Sequence, residues 1–414
     1  MNNLLRYLKI IFPALLLSLS LGGLTGCAGE ESPDHETLSD EEGKACLIVR
    51  VRAAESYVSL SDNEKMHSLR VILLDEKGKV EQNEFLEFDK PEVEEEIALM
   101  TVAGNKIVFL IANEAAVSSY FSETNELDEA LTFTAFLNGL SGYEGNCGDL
   151  LNSICFDPRF PRNPGDECLI PQTSCYSVKL KAGETQQKTM YVVKTAVKVN
   201  FTFNNYRNDP VGIKHVRISS FADITYLLGQ VGSEDFTKDG EFWVDWLQET
   251  SFDSQSHPEL EDNEDFNSSR GWILDYAVPQ DVSHKMIDFI EGEPWSVDPQ
   301  QTIDNQQPQP GVLTKGPFYF PESKNLSSSG DGQQYYLSLT IIDSSVSSEN
   351  TGNPGVSAEK TFTISRAIPN AKGLFRNSHL DIEVNMSEGA TDIYVEIKSW
   401  NQDSEVFGIL EQEN

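Results

Sequence analysis

Along most of the chain the apolar residues fall in short runs with a two-residue period rather than on helical faces. Ala45 to Arg52 places Leu47, Val49 and Val51 at alternate positions, and a period of two sets such side chains on one face of a strand. Leu69 to Leu74 and Lys106 to Ala112 are apolar, β-branched runs of strand length. Asp75-Glu-Lys-Gly78 after the first of these is a turn signal, with glycine supplying positive φ. Tyr176 to Leu180 and Met190 to Phe203 return to strand. In the second, Val193, Ala196, Val197, Val199, Phe201 and Phe203 carry the apolar load, while Asn200 and Thr202 mark a wet face. Further strands are expected at Lys214 to Ser219, Tyr335 to Ile342, Glu359 to Ile364, His379 to Met386 and Asp392 to Trp400. The best helical stretch lies around Leu127 to Leu137. Short strands, turn signals and little helix predict an all-β chain of β-sandwiches.

The polar segment Gly183 to Lys188 predicts a boundary between an N-terminal sandwich, 45–188, and a C-terminal one, 189–414. Residues 233–315 are polar and rich in Pro and Gln, too long for an ordinary loop, and read as an insertion in the second sandwich. The N-terminus carries a different pattern. Arg6 and Lys9 precede an apolar run from Ile10 to Leu21, then Leu24-Thr25-Gly26-Cys27. A basic start, a short apolar core and small residues before a cut predict a signal peptide over 1–26. The run is too short to span a bilayer, which takes about 20 residues. The last four residues resemble a bacterial lipobox, which implies a diacylated Cys27 and export as a lipoprotein. Residues 27–44 are acidic and polar and read as a flexible tether.

Charge narrows the function. With 31 basic and 66 acidic residues the chain carries a net −35, which argues against nucleic acid as a partner. The acidic clusters Glu30 to Glu42, Glu92 to Glu96 and Asp253 to Asp265 read as solvated loops. Catalytic motifs are missing from the sequence: no H-E-x-x-H, no nucleophile elbow around Ser141, no Gly-rich phosphate loop. No catalytic residue, metal or cofactor is expected. Cys147, Cys155, Cys168 and Cys175 fall in a Pro- and Gly-rich stretch of an exported chain and predict two disulfides, with three pairings open. Cys46 is then left over. Phe242-Trp-Val-Asp-Trp246 and Pro317-Phe-Tyr-Phe-Pro321 read as sandwich packing, with a sugar-stacking platform as the alternative.

Four segments in order resemble the fimbrillin family of type V pili. They are Ser68 to Val80 followed by Gly104 to Glu114; Val193 to Phe201; Phe318-Tyr-Phe-Pro-Glu-Ser323; and Leu374-Phe-Arg-Asn377 followed by Asp392 to Trp400. The resemblance implies two transthyretin-like β-sandwich domains, no active site, and a structural role. It implies an outer-membrane lipoprotein precursor that becomes part of a cell-surface fimbrium. An arginine-specific protease would remove the lipidated first strand, and a strand from another fimbrial subunit would fill the groove. In this sequence the cut falls after Arg52, leaving Ala53 as the new N-terminus, or else after Arg50. Cleavage there would also remove Cys27 and the odd Cys46. Val406, Phe407, Ile409 and Leu410 in the C-terminal tail are candidates for the donor strand. A tip adhesin, a glycan-binding lipoprotein and a lipid-retaining anchor subunit are the alternatives.

Overall fold

The computed structural model describes residues 43–53, 60–122, 124–125, 127, 131–158, 168–231, 251–253, 276–277, 279, 284–302, 307–324, 335–343, 360–367, 373–374, 376–388 and 390–399. Residues 43–414 fall in one compact unit. Its described part is all-β, built from strands stacked in layers around three large apolar clusters.

The first layer pair uses β1 (Lys44–Arg52), β2 (Met66–Asp75), β3 (Val80–Glu92), β4 (Glu94–Val102), β5 (Gly104–Ala112), β6 (Gln172–Leu180), β7 (Thr185–Tyr191) and β8 (Val193–Lys194). One sheet has the order β4-β1-β7 and the other β8-β6-β5-β2-β3. Between them lie Leu47, Val49, Val51, Leu69, Val71, Leu73, Leu99, Val108, Leu110 and Met190. The larger sheet is covered on its outer face too. Ile72, Leu74, Phe109 and Ile111 point away from the first core and pack against Leu137, Leu150, Leu151, Ile154 and Phe156. Burial on both faces is why Val71 to Leu74 and Val108 to Ala112 are continuous apolar runs instead of alternating ones.

The second half uses β9 (Ala196–Asn205), β10 (Val211–Ala222), β11 (His284–Asp288), β12 (Gly311–Pro321), β13 (Tyr336–Asp343), β14 (Lys360–Ala367), β15 (Ser378–Ser387) and β16 (Ala390–Ser399). Ser251–Asp253, β16, β15, β9 and β12 form one sheet; β11, β10, β13 and β14 form the other. Val197, Val199, Phe201 and Phe203 face the core from β9, as the alternation predicts. Phe318 and Phe320 join them, with Phe201 and Phe289 edge-on to Phe318. Pro317 to Pro321 is therefore packing and not a sugar platform. Phe242 to Trp246 lies outside the described residues.

The two halves share one device. In each, the first strand sits inside a sheet, antiparallel to one neighbour and parallel to a strand late in its half: β1 with β4 and β7, β9 with β12 and β15. The change of core falls between Val192 and Val197, a few residues past the expected boundary. Gly183 to Lys188 is no linker, because most of it belongs to β7, where Thr185 to Lys188 lie alongside β1.

The Cys-rich segment also differs from expectation. Helix α1 (Phe133–Gly139) is capped by Thr132, whose hydroxyl accepts from the Ala135 amide at 3.2 Å. Helix α2 (Cys147–Asn152) follows, with Asn146 accepting from Gly148 and Asp149. Gly78, at φ +75°, makes the predicted turn, and a Cβ there would overlap the Asn146 side chain. Among the described residues the expected disulfides are not formed: Cys46, Cys147, Cys168 and Cys175 are thiols. Cys147 and Cys155 are buried, and Cys147 lies in the same apolar cluster as Leu150, Leu151, Ile154 and Phe156. That cluster packs residues 147–156 against the outer face of the larger sheet.

Candidate functional site

The distinctive site is β1 and its surroundings. Its nine residues alternate, with Ala45, Leu47, Val49 and Val51 buried and the residues between them half-buried or exposed. Strand β1, which carries Arg50 and Arg52, is central to its sheet. Leu47 lies beside Leu99 of β4 and Gln186 of β7, and Val51 beside Glu95 and Met190. Among the described residues β4 and β7 pair with β1 and with no other strand. Each apolar side chain so buried stabilises by about 1.5–3 kcal/mol.

The outer face of this sheet carries charge. Arg52 Nε donates to Glu94 Oε2 at 2.7 Å. Arg50 reaches Glu94 Oε1 at 3.3 Å and Glu96 Oε2 at 3.4 Å. Gln187 of β7 also donates to Glu96, at 3.3 Å. The cluster Glu92 to Glu96, expected to be a solvated loop, spans the turn from β3 into β4, and the arginines of β1 are what let its carboxylates line up on a strand.

Past Arg52 the chain is held on both sides. The Ala53 amide donates to Val93 O at 2.8 Å, and the Val192 amide to Arg52 O at 2.9 Å. Buried Lys194 donates through Nζ to Ala53 O at 3.0 Å. Lys194 belongs to a charged knot in which Glu64 Oε1 accepts from Lys198 Nζ at 2.8 Å and from Tyr319 Oη at 3.0 Å. Burial pushes Glu64 up, but Lys198, Lys194 and the two hydrogen bonds outweigh it and hold its carboxyl below the ordinary range. Burial pulls the Lys194 ammonium down to about 8, against the attraction of Glu64 and with the repulsion of Lys198. Ala53, which cleavage after Arg52 would make the N-terminus, is 2% exposed.

The family-like motifs turn out to be structural. Arg70 makes two bonds to the Glu114 carboxylate, at 2.6 and 2.8 Å, and both residues are buried. Asn113, at φ 59°, accepts from the His67 amide and donates to Lys65 O and Ile170 O. In the second half Arg376 donates to Glu322 at 2.6 Å and to the carbonyls of Leu227 and Tyr226, beside Asn377 at φ 58°. Sequence reasoning did not identify these pairs. A lone arginine inside the apolar run Leu69 to Leu74 was the available signal.

Other candidates do not assemble. Cys27, Val406, Phe407, Ile409 and Leu410 lie outside the described residues. Among the described residues there is no cluster of three His, Cys, Asp or Glu able to hold a metal, and no helix long and apolar enough to cross a membrane. A cleft of about 490 Å³ between β11 and β12 is lined by Asp223, Lys285, Asp288 and Phe289. Its charges are occupied with one another, as Lys285 pairs with Asp223 at 3.0 Å and Arg217 and His215 pair with Asp288.

No protein-family model and no curated protein matches the chain. Among solved structures it is similar to the tip fimbrial protein Mfa3 of Porphyromonas gingivalis, at 11% identity and a TM-score of 0.44, over 86% of this chain and 100% of that one. It is similar to a fimbrial assembly protein of Parabacteroides distasonis, at 11% identity and 0.41, over 84% and 94%. It is also similar to a fimbrilin of P. gingivalis W83, at 10% identity and 0.42, over 86% and 97%. These likenesses are distant.

Proposed function

We propose that this chain is a structural subunit of cell-surface fimbriae, exported as a lipoprotein on Cys27 and joined to neighbouring subunits by β-strand exchange, in support of adhesion. It would consist of two sandwich domains and carry no catalytic site. The observation that supports this reading is the position of β1. A strand whose two neighbours pair with nothing else leaves a groove when it departs, and the floor of that groove is the apolar core that received Leu47, Val49 and Val51. Unpaired strand edges and open sockets together are what an incoming strand fills, main-chain bonds giving affinity and alternate side chains giving fit. An arginine-specific protease acting after Arg52, or after Arg50, would sever β1, together with Cys27 and Cys46, from the rest of the chain, and an incoming strand would then displace it. The tail bearing Val406, Phe407, Ile409 and Leu410 would serve as the donor to another subunit.

The N-terminal residue of the surface-extracted protein tests this. Ala53 or Val51 is the expected result. The buried, doubly held peptide at Ala53 favours one second reading, an anchor subunit that resists the protease and keeps its lipid in the outer membrane. An N-terminus at acylated Cys27, in protein recovered from assembled fimbriae, would establish that reading and overturn strand exchange at this groove.

A further inference from the structure

The groove's partner can be specified further, on the reading that β1 is exchanged. We propose that the strand entering it comes from a different kind of subunit, and that it carries two cationic residues at alternate positions facing Glu94 and Glu96. The resident strand sets the rule. Inward, β1 offers Leu47, Val49 and Val51. Outward, it offers Arg50 and Arg52, which bind three carboxylate oxygens of β4 at 2.7 to 3.4 Å. When β1 leaves, Glu94 and Glu96 lose those partners and remain two residues apart on the rim. A neutral strand would leave the two carboxylates repelling each other. An acidic one would add like charges across the strand pair, which is destabilising.

The chain's own tail does not meet the rule. Residues 401–414 hold Asp403, Glu405, Glu411 and Glu413, and no Lys or Arg. Val406, Phe407, Ile409 and Leu410 could fill apolar sockets, but their flanking glutamates would approach the acidic rim. A net charge of −35 on each copy adds long-range repulsion. The groove therefore selects against a second copy of this chain as donor, and its tail suits a groove with a neutral or basic rim.

The test uses the chain from residue 28 onward, β1 included, with a site-specific protease sequence between residues 54 and 59, cut so that β1 stays bound until displaced. Fluorescent peptides are the probes: residues 43–53, the same peptide with Arg50→Glu and Arg52→Glu, and residues 401–414. The native peptide is expected to exchange in. The charge-reversed peptide should bind at least about tenfold more weakly at low salt, with the gap closing at high salt as the charges are screened. The tail peptide should not compete. In the Glu94→Lys/Glu96→Lys chain the order of the first two should invert. Equal binding of the native and reversed peptides, or tail binding as tight as the native, would overturn the charge rule while leaving strand exchange intact. Failure of the native peptide to enter the cut chain would overturn strand exchange itself, and the rule with it.

Discussion

Replacing Lys194 with Met should remove a specific pH dependence of stability. Lys194 is fully buried, bonded to Ala53 O and set between Glu64 and Lys198. Burial lowers its folded value from 10.5 to about 8, while the unfolded chain keeps the ordinary value. Between those two values the unfolded state binds the extra proton, so stability must rise as pH rises. Below about 8 the folded protein bears the cost of a buried ammonium; above 10.5 neither state does. At about 1.36 kcal/mol per pH unit, the gap amounts to roughly 3 kcal/mol gained across the window. Tyr319 and Tyr335, whose burial pushes their phenols up, lose stability above about pH 10 in both proteins, so the comparison stops there. Urea unfolding followed by Trp fluorescence at pH 7, 8.5 and 10 measures the difference. The wild type should gain about 2 kcal/mol or more relative to Lys194→Met between pH 7 and 10. Parallel curves for the two proteins would show that Lys194 is not desolvated as argued.

Alkylation of native, unreduced protein should label exposed Cys168 quickly, half-buried Cys175 slowly, and buried Cys147 and Cys155 only after urea is added. Burial raises the Cys175 thiol to about 12, which keeps it protonated and slow to react; a mass showing two cystines in fresh protein would contradict this. Arg376→Met should destabilise by about 3–5 kcal/mol, because it strands a buried Glu322 carboxylate. Adding Glu322→Gln should recover much of that loss in thermal unfolding, and a single variant as stable as the wild type would show that the pair is not buried as described.

Where burial is one-sided or complete, the pattern of the sequence was enough. Strands β1, β2, β5 and β9 appear as alternation or as continuous apolar runs because their side chains face one core or two. Strands β3 and β4 were not legible, since Glu84, Glu87, Glu94 and Glu96 make them look like solvated loop. What stabilises β4 is the arginines of β1, some 40 residues away in the chain. Helix α2 was hidden for another reason: six residues are too few to show a helical period, and its one cysteine, Cys147, suggested a cross-link. Arg50 and Arg52 were visible as candidates, but their central place in a sheet depends on β4 and β7 closing around them. The buried pairs Arg70–Glu114 and Arg376–Glu322 join residues 44 and 54 positions apart, beyond the reach of any local window.

The position of β1 also bears on how exchange would proceed on the proposed reading. Leu47, Val49 and Val51 together contribute roughly 5–9 kcal/mol of apolar burial. A nick after Arg52 removes none of it, so cleavage alone would not release the strand. Displacement has to be stepwise, with each residue of the incoming strand replacing one of β1. The two ends of β1 are unequal. Lys44 lies exposed opposite Val102, which is 57% exposed, whereas the Arg52 end carries the pairs to Glu94 and Glu96 and runs into Ala53, held by Val93, Lys194 and the Glu64 knot. Cutting after Arg52 separates the strand from that anchored residue, and what still holds this end is the burial of Val51 and the charge pairing that an incoming cationic strand would reproduce. Cleavage therefore unlocks the strongly held end, while the weak end near Lys44 offers the first place for a new strand to pair.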